Sequence, residues 1–380
     1  MKFLFVAARY HTNQVPVVEG LIGKGHEVHF WASYTGKTED HAAVTPFVLS
    51  ASWLSGLLID RASHRSSLDR EDIHRRWFFP AFFALLRALL ALRPDVVLFR
   101  GEKFTTAMVT LICRWLGTPR VLLYTQKPVL RPRQQTLLKR LFFPARMMSP
   151  VLVANPRADP APAMETALAQ NRHFIPLIHA VTPQSDGRGY FRDNKLNILS
   201  VGKYRGYKNL TLLVEAVSCL HPAHLAQLTV TIVGQVASQT EHDYHERLRA
   251  DIAAKGLGSV IALKSNVPYS QMDSLYQASD VFVLTSLREV ASVAVVEAMA
   301  SGLVVVSTDE NGTASYVEPG VSGDWFETDN AASLAGVLAR LITADQPSLA
   351  AMGQAARERA RLNCSFEVYY GKLLAALDLA

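Results

Sequence analysis

Short apolar runs rich in β-branched residues alternate along this chain with longer segments of helical period, which is the pattern of parallel α/β sheets. In the first half the pattern predicts strands over 2–7, 27–31, 95–99, 120–124 and 151–154. Helices are predicted between them, around 14–24, 72–92, 103–116 and 134–147. The stretch AVTPQSDGRGYFRDNK, residues 180–195, then breaks the period with proline, glycine and charge, and reads as a linker. The alternation restarts with strands over 196–201, 228–233, 260–264, 281–284 and 304–307, and helices around 209–220, 244–255, 269–277, 294–300 and 331–342. The expectation is an α/β chain of two Rossmann-like, doubly wound parallel-sheet domains facing across a cleft. One covers 1–182, the other 196–362, with a linker at 183–195 and a C-terminal helix at 363–380 that packs back toward the first. Ligands of such sheets bind outside the carboxyl ends of the strands.

Composition adds size and charge to that picture. At 380 residues and 49% hydrophobic, the chain can bury two cores. Residues 1–190 hold 24 Lys+Arg against 13 Asp+Glu, a balance of +11, whereas the remainder holds 15 against 20, a balance of −5. The basic half suits an anionic partner such as a membrane surface, an acidic acceptor or nucleic acid. Two arginine-bearing aromatic stretches, RRWFFPAFFALLRALLAL and LLKRLFFPARMM, fit either an interface with anionic lipid or ordinary core-facing amphipathic helices. No apolar run reaches the ~20 residues needed to span a bilayer. The opening MKFLFVAARYH reads as a buried strand rather than a secretory leader. Three widely spaced cysteines, Cys113, Cys219 and Cys364, form no disulfide framework and suit a reducing cytoplasm.

Two segments carry candidate chemistry. In ILSVGKYRGYKNLTLLVEAV a strand ends at Gly202, and Lys203, Arg205 and Lys208 follow before a helix. The glycine lets backbone approach a ligand, while the cations and the helix N-terminus favour an anion such as a diphosphate. A plain exposed strand–helix loop would have the same composition. In LTSLREVASVAVVEAMASGLVVVSTDENG, Glu289 lies just past a strand and Glu297 eight residues later. Were both on one helix they would stand about 12 Å apart along its axis and about 80° around it, too far for a close carboxylate dyad. Carboxylates suit hydroxyl-rich ligands, and the small residues Ala291 and Ser292 leave backbone amides open at the helix start. A solvated Glu289 and a core-edge Glu297 remain the alternative.

Together these segments resemble the retaining nucleotide-sugar glycosyltransferases of family four, which have the GT-B fold. The likeness runs through VGKYRGYKN, LTVTIVG, SDVFVLTS, EVASVAVVEAMASGLVVV and ENGTASYVEPGVSG. It implies that Lys203 and Lys208 hold the donor diphosphate beside Gly202, that Glu289 meets sugar hydroxyls and that Glu297 meets the ribose. Amides around Ala291, Ser292 and Val293 would touch phosphate or sugar, and Ser265, Asn266 and Val267 would line the base. Here the motif reads E-V-A-S, with Ala291 at the usual glycine and Ser265 at the base-side glycine. The first half departs further: Ala7-Ala8-Arg9-Tyr10-His11-Thr12-Asn13 stands where a glycine-rich loop is usual. Arg100 takes the place of a histidine near the transferred sugar, able to stabilise charge but not to act as a base.

The implied function is metal-independent, retaining transfer of a hexose-type sugar from a UDP- or GDP-sugar to a glycan or lipid-linked acceptor, in polysaccharide or glycolipid synthesis. No cofactor is expected. The implied place is the cytoplasm, in peripheral contact with an anionic membrane at its inner face, with no nucleic-acid partner. An epimerase or phosphorylase on the same fold, or a non-catalytic partner subunit, would share these segments. His242 and His245 lie three apart, but no H-E-x-x-H, D-x-D, G-x-G-x-x-G or P-loop is present.

Overall fold

The computed structural model describes residues 1–36, 41–65, 73–74, 77–100, 104–118, 120–125, 151–153, 172–179, 188–287, 289, 291–308 and 310–378. The chain divides into two compact units, Met1–Pro176 with Tyr369–Ala380, and Leu177–Val368.

The first unit is built on a parallel sheet of β1 (Lys2–Ala7), β2 (Glu27–Ala32), β3 (Phe47–Val48), β4 (Val96–Arg100), β5 (Arg120–Thr125), β6 (Val151–Val153) and β7 (Arg172–Phe174), ordered β3-β2-β1-β4-β5-β6-β7. Its central strands read as continuous apolar runs because both faces are covered. Leu4, Val6, Val97, Phe99, Val121 and Leu123 point to one face, where Leu85 and Leu89 of the helix Phe82–Leu92 and Val109 and Ile112 of the helix Phe104–Trp115 close the core. On β2, Phe30 instead takes the ring of Tyr10 edge-on, with centroids 4.7 Å apart. The last residues join this unit: Tyr370 Oη lies 2.8 Å from His26 Nε2, and Arg120 Nε donates to the Leu377 carbonyl at 3.3 Å.

The helix expected over 72–92 is broken: residues 73–74 and 77 are helical, and the helix Phe82–Leu92 follows after an interruption. Pro80 bridges Ala51, and Ala81 is extended at φ −67°, ψ 119°, as a proline without an N–H and the bend it imposes would require. The helix Trp53–Arg65 and strands β3 and β7 were not anticipated; the strands are two and three residues long, too short to show a period. The helix expected over 134–147 lies outside the described residues.

The second unit repeats the plan. Strands β8 (Leu196–Val201), β9 (Leu228–Gly234), β10 (Ile261–Ser265), β11 (Val281–Leu284), β12 (Val304–Thr308) and β13 (Gly323–Phe326) pair in parallel, ordered β10-β9-β8-β11-β12-β13. Ile198, Val230, Val283, Val304 and Val306 form its core with Leu213 and Val217 of the helix Leu210–Ser218 and Leu334, Leu338 and Leu341 of the helix Ala331–Ile342. In both sheets the strand order reverses beside the first strand, between β1 and β4 and between β8 and β11. That reversal is where doubly wound sheets place their ligands. The helix expected to begin at 244 begins at Gln239, because the Ser238 side chain caps it by accepting from Glu241 N at 3.4 Å.

Among the described residues no helix is long and apolar enough to cross a membrane. Cys113, Cys219 and Cys364 are free thiols.

Candidate functional site

The loop that leaves β8 at Gly202 is held from below by Tyr204. This side chain is fully buried, and its hydroxyl lies 3.2 Å from the Ile232 carbonyl and 3.0 Å from that of Lys264. Burial pushes the Tyr204 phenol up to about 12, so it stays a neutral donor. Arg205, one of the three cations in the loop, turns back into the fold. Its Nε donates to Glu241 Oε1 at 2.7 Å, while Glu241 Oε2 accepts from the Ala237 amide at 2.7 Å. Glu241 is only 1% exposed, and Arg205 supplies the counter-charge that lets it remain buried. Lys203 and Lys208 remain as the cations of the loop.

Lys208 sits at the end of a turn, Gly206–Lys208, with Asn209 left-handed at φ 48° before the helix Leu210–Ser218. Two bonds stitch this turn to the chain leaving β11: Leu287 N donates to the Tyr207 carbonyl at 2.8 Å, and Thr285 Oγ1 to that of Lys208 at 2.9 Å. Across this seam Lys208 Nζ forms an ion pair with Glu289 Oε2. Both side chains are largely shielded, at 13% and 16% exposure, so their attraction is stronger than a surface pair's. The stem of Lys208 lies over Gly202, where a Cβ would come within 3.1 Å of its Cδ. The glycine makes room for the lysine stem, a reason the sequence does not show.

Glu289 is placed by its backbone. Its amide donates to Asn311 Oδ1 at 3.1 Å, its carbonyl accepts from Gly312 N at 2.9 Å, and the fully buried Asn311 is fixed by a 3.0 Å bond from Nδ2 to Ser307 Oγ. Ala291 and Ser292 follow, with Ser292 buried and extended at φ −95°, ψ 110° as the N-cap of the helix Val293–Ala300. Glu289 therefore precedes the helix rather than lying on it, and the all-helical spacing to Glu297 does not apply. Glu297 stands in the second turn. Its Oε2 accepts from Tyr276 Oη at 2.7 Å and its Oε1 from Tyr269 Oη at 2.9 Å. Burial raises the Glu297 carboxyl while the two phenols oppose that rise, and burial also drives the Tyr276 phenol well above its usual range. Neither tyrosine was singled out from sequence. The helical period marks Tyr276 as a core position, but nothing local points to Tyr269.

At the end of β10, Ser265 pairs with Gly234, and Asn266 turns left-handed at φ 55°. The Asn266 side chain accepts from Val236 N at 2.9 Å and donates to the Val236 carbonyl at 3.1 Å, tying this loop to the one after β9. Ser265 and Asn266 are exposed and Val267 is half-buried beside them. In the first unit Arg100 ends β4, where its Nη1 donates to Asn13 Oδ1 at 2.9 Å and its guanidinium lies 6.0 Å from the Tyr124 ring. His11 offers its backbone amide to Gln14 Oε1 at 3.1 Å. His245 is buried against Tyr204 and lies 3.0 Å from Glu246 Oε1, while His242 is exposed. Among the described residues no group of three or more His, Cys, Asp or Glu could hold a metal.

The second unit thus brings together, at the reversal between β8 and β11, two lysines, a helix N-terminus and two carboxylates. The cations and amides suit an oxyanion such as a phosphate, and the carboxylates suit hydroxyls.

Known proteins share part of this sequence and the whole of its fold. The family model for glycosyl transferases group 1 matches residues 184–359, inside the second unit. A lipopolysaccharide core biosynthesis mannosyltransferase, LpcC of Rhizobium leguminosarum bv. viciae, is 29% identical over 167 residues, 44% of this chain and 46% of that protein. The amylovoran biosynthesis glycosyltransferase AmsK of Erwinia amylovora is 29% identical over 189 residues, 48% of this chain and 44% of its own. The match thus spans less than half the length of these relatives. Among solved structures, Anabaena Alr3699/HepE in complex with UDP superposes with a TM-score of 0.73 at 15% identity, covering 100% of both chains. Sucrose-phosphate synthase from Thermosynechococcus elongatus superposes at 0.70 with 16% identity, over 100% of this chain and 99% of its own. The fold is that of the GT-B glycosyltransferases, and residues 184–359, which carry the Lys208–Glu289 pair and Glu297, match the family model for glycosyl transferases group 1.

Proposed function

We propose that this protein transfers a hexose-type sugar from a nucleoside diphosphate sugar to a hydroxyl of a glycan or lipid-linked acceptor, with retention of configuration and without a metal cofactor. The observation that carries this reading is the shielded Lys208–Glu289 pair at the carboxyl ends of β8 and β11. It sets a phosphate-binding cation directly against a hydroxyl-binding carboxylate, as a sugar joined to a diphosphate demands. Lys203, Lys208 and the first amides of the helix Val293–Ala300 hold the diphosphate and stabilise the charge that grows as it leaves. These fixed charges take the part a divalent cation would otherwise play. Glu289 orients the sugar, and Glu297 accepts the ribose hydroxyls. The acceptor hydroxyl attacks the anomeric carbon on the face from which the diphosphate departs. As the new C–O bond forms and the bond to phosphate breaks, the acceptor proton passes to the leaving phosphate oxygen.

LpcC is named for lipopolysaccharide core biosynthesis and AmsK for amylovoran biosynthesis, which supports a glycan as product, and the complex of HepE with UDP supports UDP as a carried nucleotide. Purified protein with UDP, GDP, ADP and TDP and their sugar conjugates, free of added metal, is expected to show thermal stabilisation by one nucleotide family. The gain is ~2.7 kcal/mol at a hundredfold excess over the dissociation constant. Protein unmoved by every one of them is not a transferase of this kind.

The first unit presents an apolar surface suited to an anionic lipid bilayer at the cytoplasmic face. Trp53 and Phe83 are 78% and 81% exposed, and Leu54, Leu57 and Phe82 are exposed with them. Bonds of 2.8 Å from Ser52 N to the Phe79 carbonyl and 2.9 Å from Ala81 N to that of Ser50 hold the two segments side by side. The excess of 24 basic over 13 acidic residues in 1–190 adds attraction to anionic headgroups. Wild-type protein should co-sediment with phosphatidylglycerol–phosphatidylcholine vesicles, and W53S/F83S should stay in the supernatant. Equal sedimentation of both proteins removes this surface from consideration.

A further inference from the structure

The stretch read from sequence as a linker, 183–195, contains two side chains that grip the second unit. Both reach the end of the helix Val293–Ala300, which carries Glu297. Arg188 Nη1 donates to the Ser301 carbonyl at 2.7 Å, and Tyr190 Oη donates to the Gly302 carbonyl at 2.7 Å. Ser301 is the C-cap of this helix, and its own amide donates to the Glu297 carbonyl at 2.9 Å. Arg188 therefore holds the chain one helical turn beyond Glu297. Its Nη2 donates at 3.0 Å to the Tyr276 carbonyl, in the last turn of the helix Met272–Ala278. That carbonyl also takes a longer bond, 3.4 Å, from Ser279 N.

The last carbonyls of a helix lack intrahelical partners, and the helix dipole makes that end favour a cation. Here one planar guanidinium spans two such ends, each nitrogen serving one helix, which the single nitrogen of a lysine cannot match. The same two helices meet again through their side chains, where Tyr276 Oη donates to Glu297 Oε2 at 2.7 Å. The links close a ring: from Arg188 to Tyr276, through the phenol to Glu297, along one turn to Ser301, and back to Arg188. Such a ring resists sliding or turning of one helix against the other. Resting on the reading that Glu297 accepts ribose hydroxyls, we propose that Arg188 is a positioning residue for the nucleotide. By fixing the spacing of the two helix ends it sets the Glu297 carboxylate where the ribose diol meets it. It acts on selection for ribonucleotides through Glu297.

Isothermal titration of wild type, R188M, R188K, E297Q and L338A with UDP, GDP and their 2′,3′-dideoxy forms tests this. The readout is the preference for ribonucleotide over dideoxynucleotide, a ratio that a merely loosened fold does not move. Wild type is expected to prefer the ribonucleotide about ten- to a hundredfold, the scale of hydrogen bonds to a charged group. R188M should shrink that preference at least about threefold and leave affinity for the dideoxy form unchanged. R188K, with one nitrogen for two carbonyls, should shrink it at least about twofold, and it carries the test should R188M not fold. L338A, a truncation in the core on the helix Ala331–Ile342, should melt earlier yet keep the wild-type preference. An arginine variant that keeps the wild-type preference overturns the proposal, as does an equal loss in L338A. E297Q that keeps the preference shows that the underlying reading of Glu297 is wrong. Wild type that binds neither UDP nor GDP removes the proposed function and this inference with it.

Discussion

Lys208→Met should abolish stabilisation by the nucleoside diphosphate and lower sugar transfer about 10²- to 10³-fold, the scale on which a donor aimed at a developing oxyanion acts. Methionine keeps an unbranched apolar stem over Gly202, so the loss reports the charge and not the packing. The same change leaves Glu289, 16% exposed, without its counter-charge. Removing one partner of a fully buried pair costs about 3–5 kcal/mol, and a pair at this exposure should lose about 2 kcal/mol. Lys208→Met should therefore melt earlier than the K208M/E289Q double variant, in which the stranded charge is gone, while both fail to transfer. Steady-state transfer assays and chemical denaturation of the three proteins check this. Full activity in Lys208→Met would falsify the role of Lys208, and a double variant no more stable than the single would refute the coupling.

Gly353→Ala should destabilise the second unit by about 3 kcal/mol, although alanine is the better helix former by nearly 1 kcal/mol. Gly353 lies within the helix Gln346–Cys364, where a methyl would overlap the Tyr190 hydroxyl and the Gly302 carbonyl oxygen. Those two groups are bonded to each other at 2.7 Å, so neither can retreat without breaking that contact. Gly336 provides the contrast, since it is also helical but exposed, with nothing within 4 Å of a Cβ. Gly336→Ala should gain about 0.5–1 kcal/mol. Thermal unfolding of both variants is the check. The fall for Gly353→Ala should amount to roughly 6–12 °C, given about 2–4 °C per kcal/mol at this size. Two variants shifting in the same direction would show that the close approach at Gly353 does not govern its stability.

The amino-acid sequence by itself determined the α/β class and most of the strands, because parallel strands buried on both faces must be apolar along their whole length. Runs such as KFLFVA and VVVST announce themselves for that reason. The cap at Ser238 was missed, since the helical period placed that helix start at 244, and the setting of Glu241 in its first turn is no local matter. That Glu241 would be buried and paired with Arg205 depends on a residue 36 positions away. The likeness of VGKYRGYKN and EVASVAVVEAMASG to one family directed attention to Lys208, Glu289 and Glu297, but only the tertiary structure decided how they stand. Lys208 and Glu289 meet because β8 and β11, 81 residues apart at the paired side chains, are neighbours in the sheet. Asn311 places Glu289 from the strand beyond, and Tyr269 and Tyr276 share Glu297 from the segment after β10. Local periodicity records which face of an element is buried, since that is a matter of spacing within a few residues. Which polar groups face one another is set by strand order and crossover, and no window of sequence contains both partners.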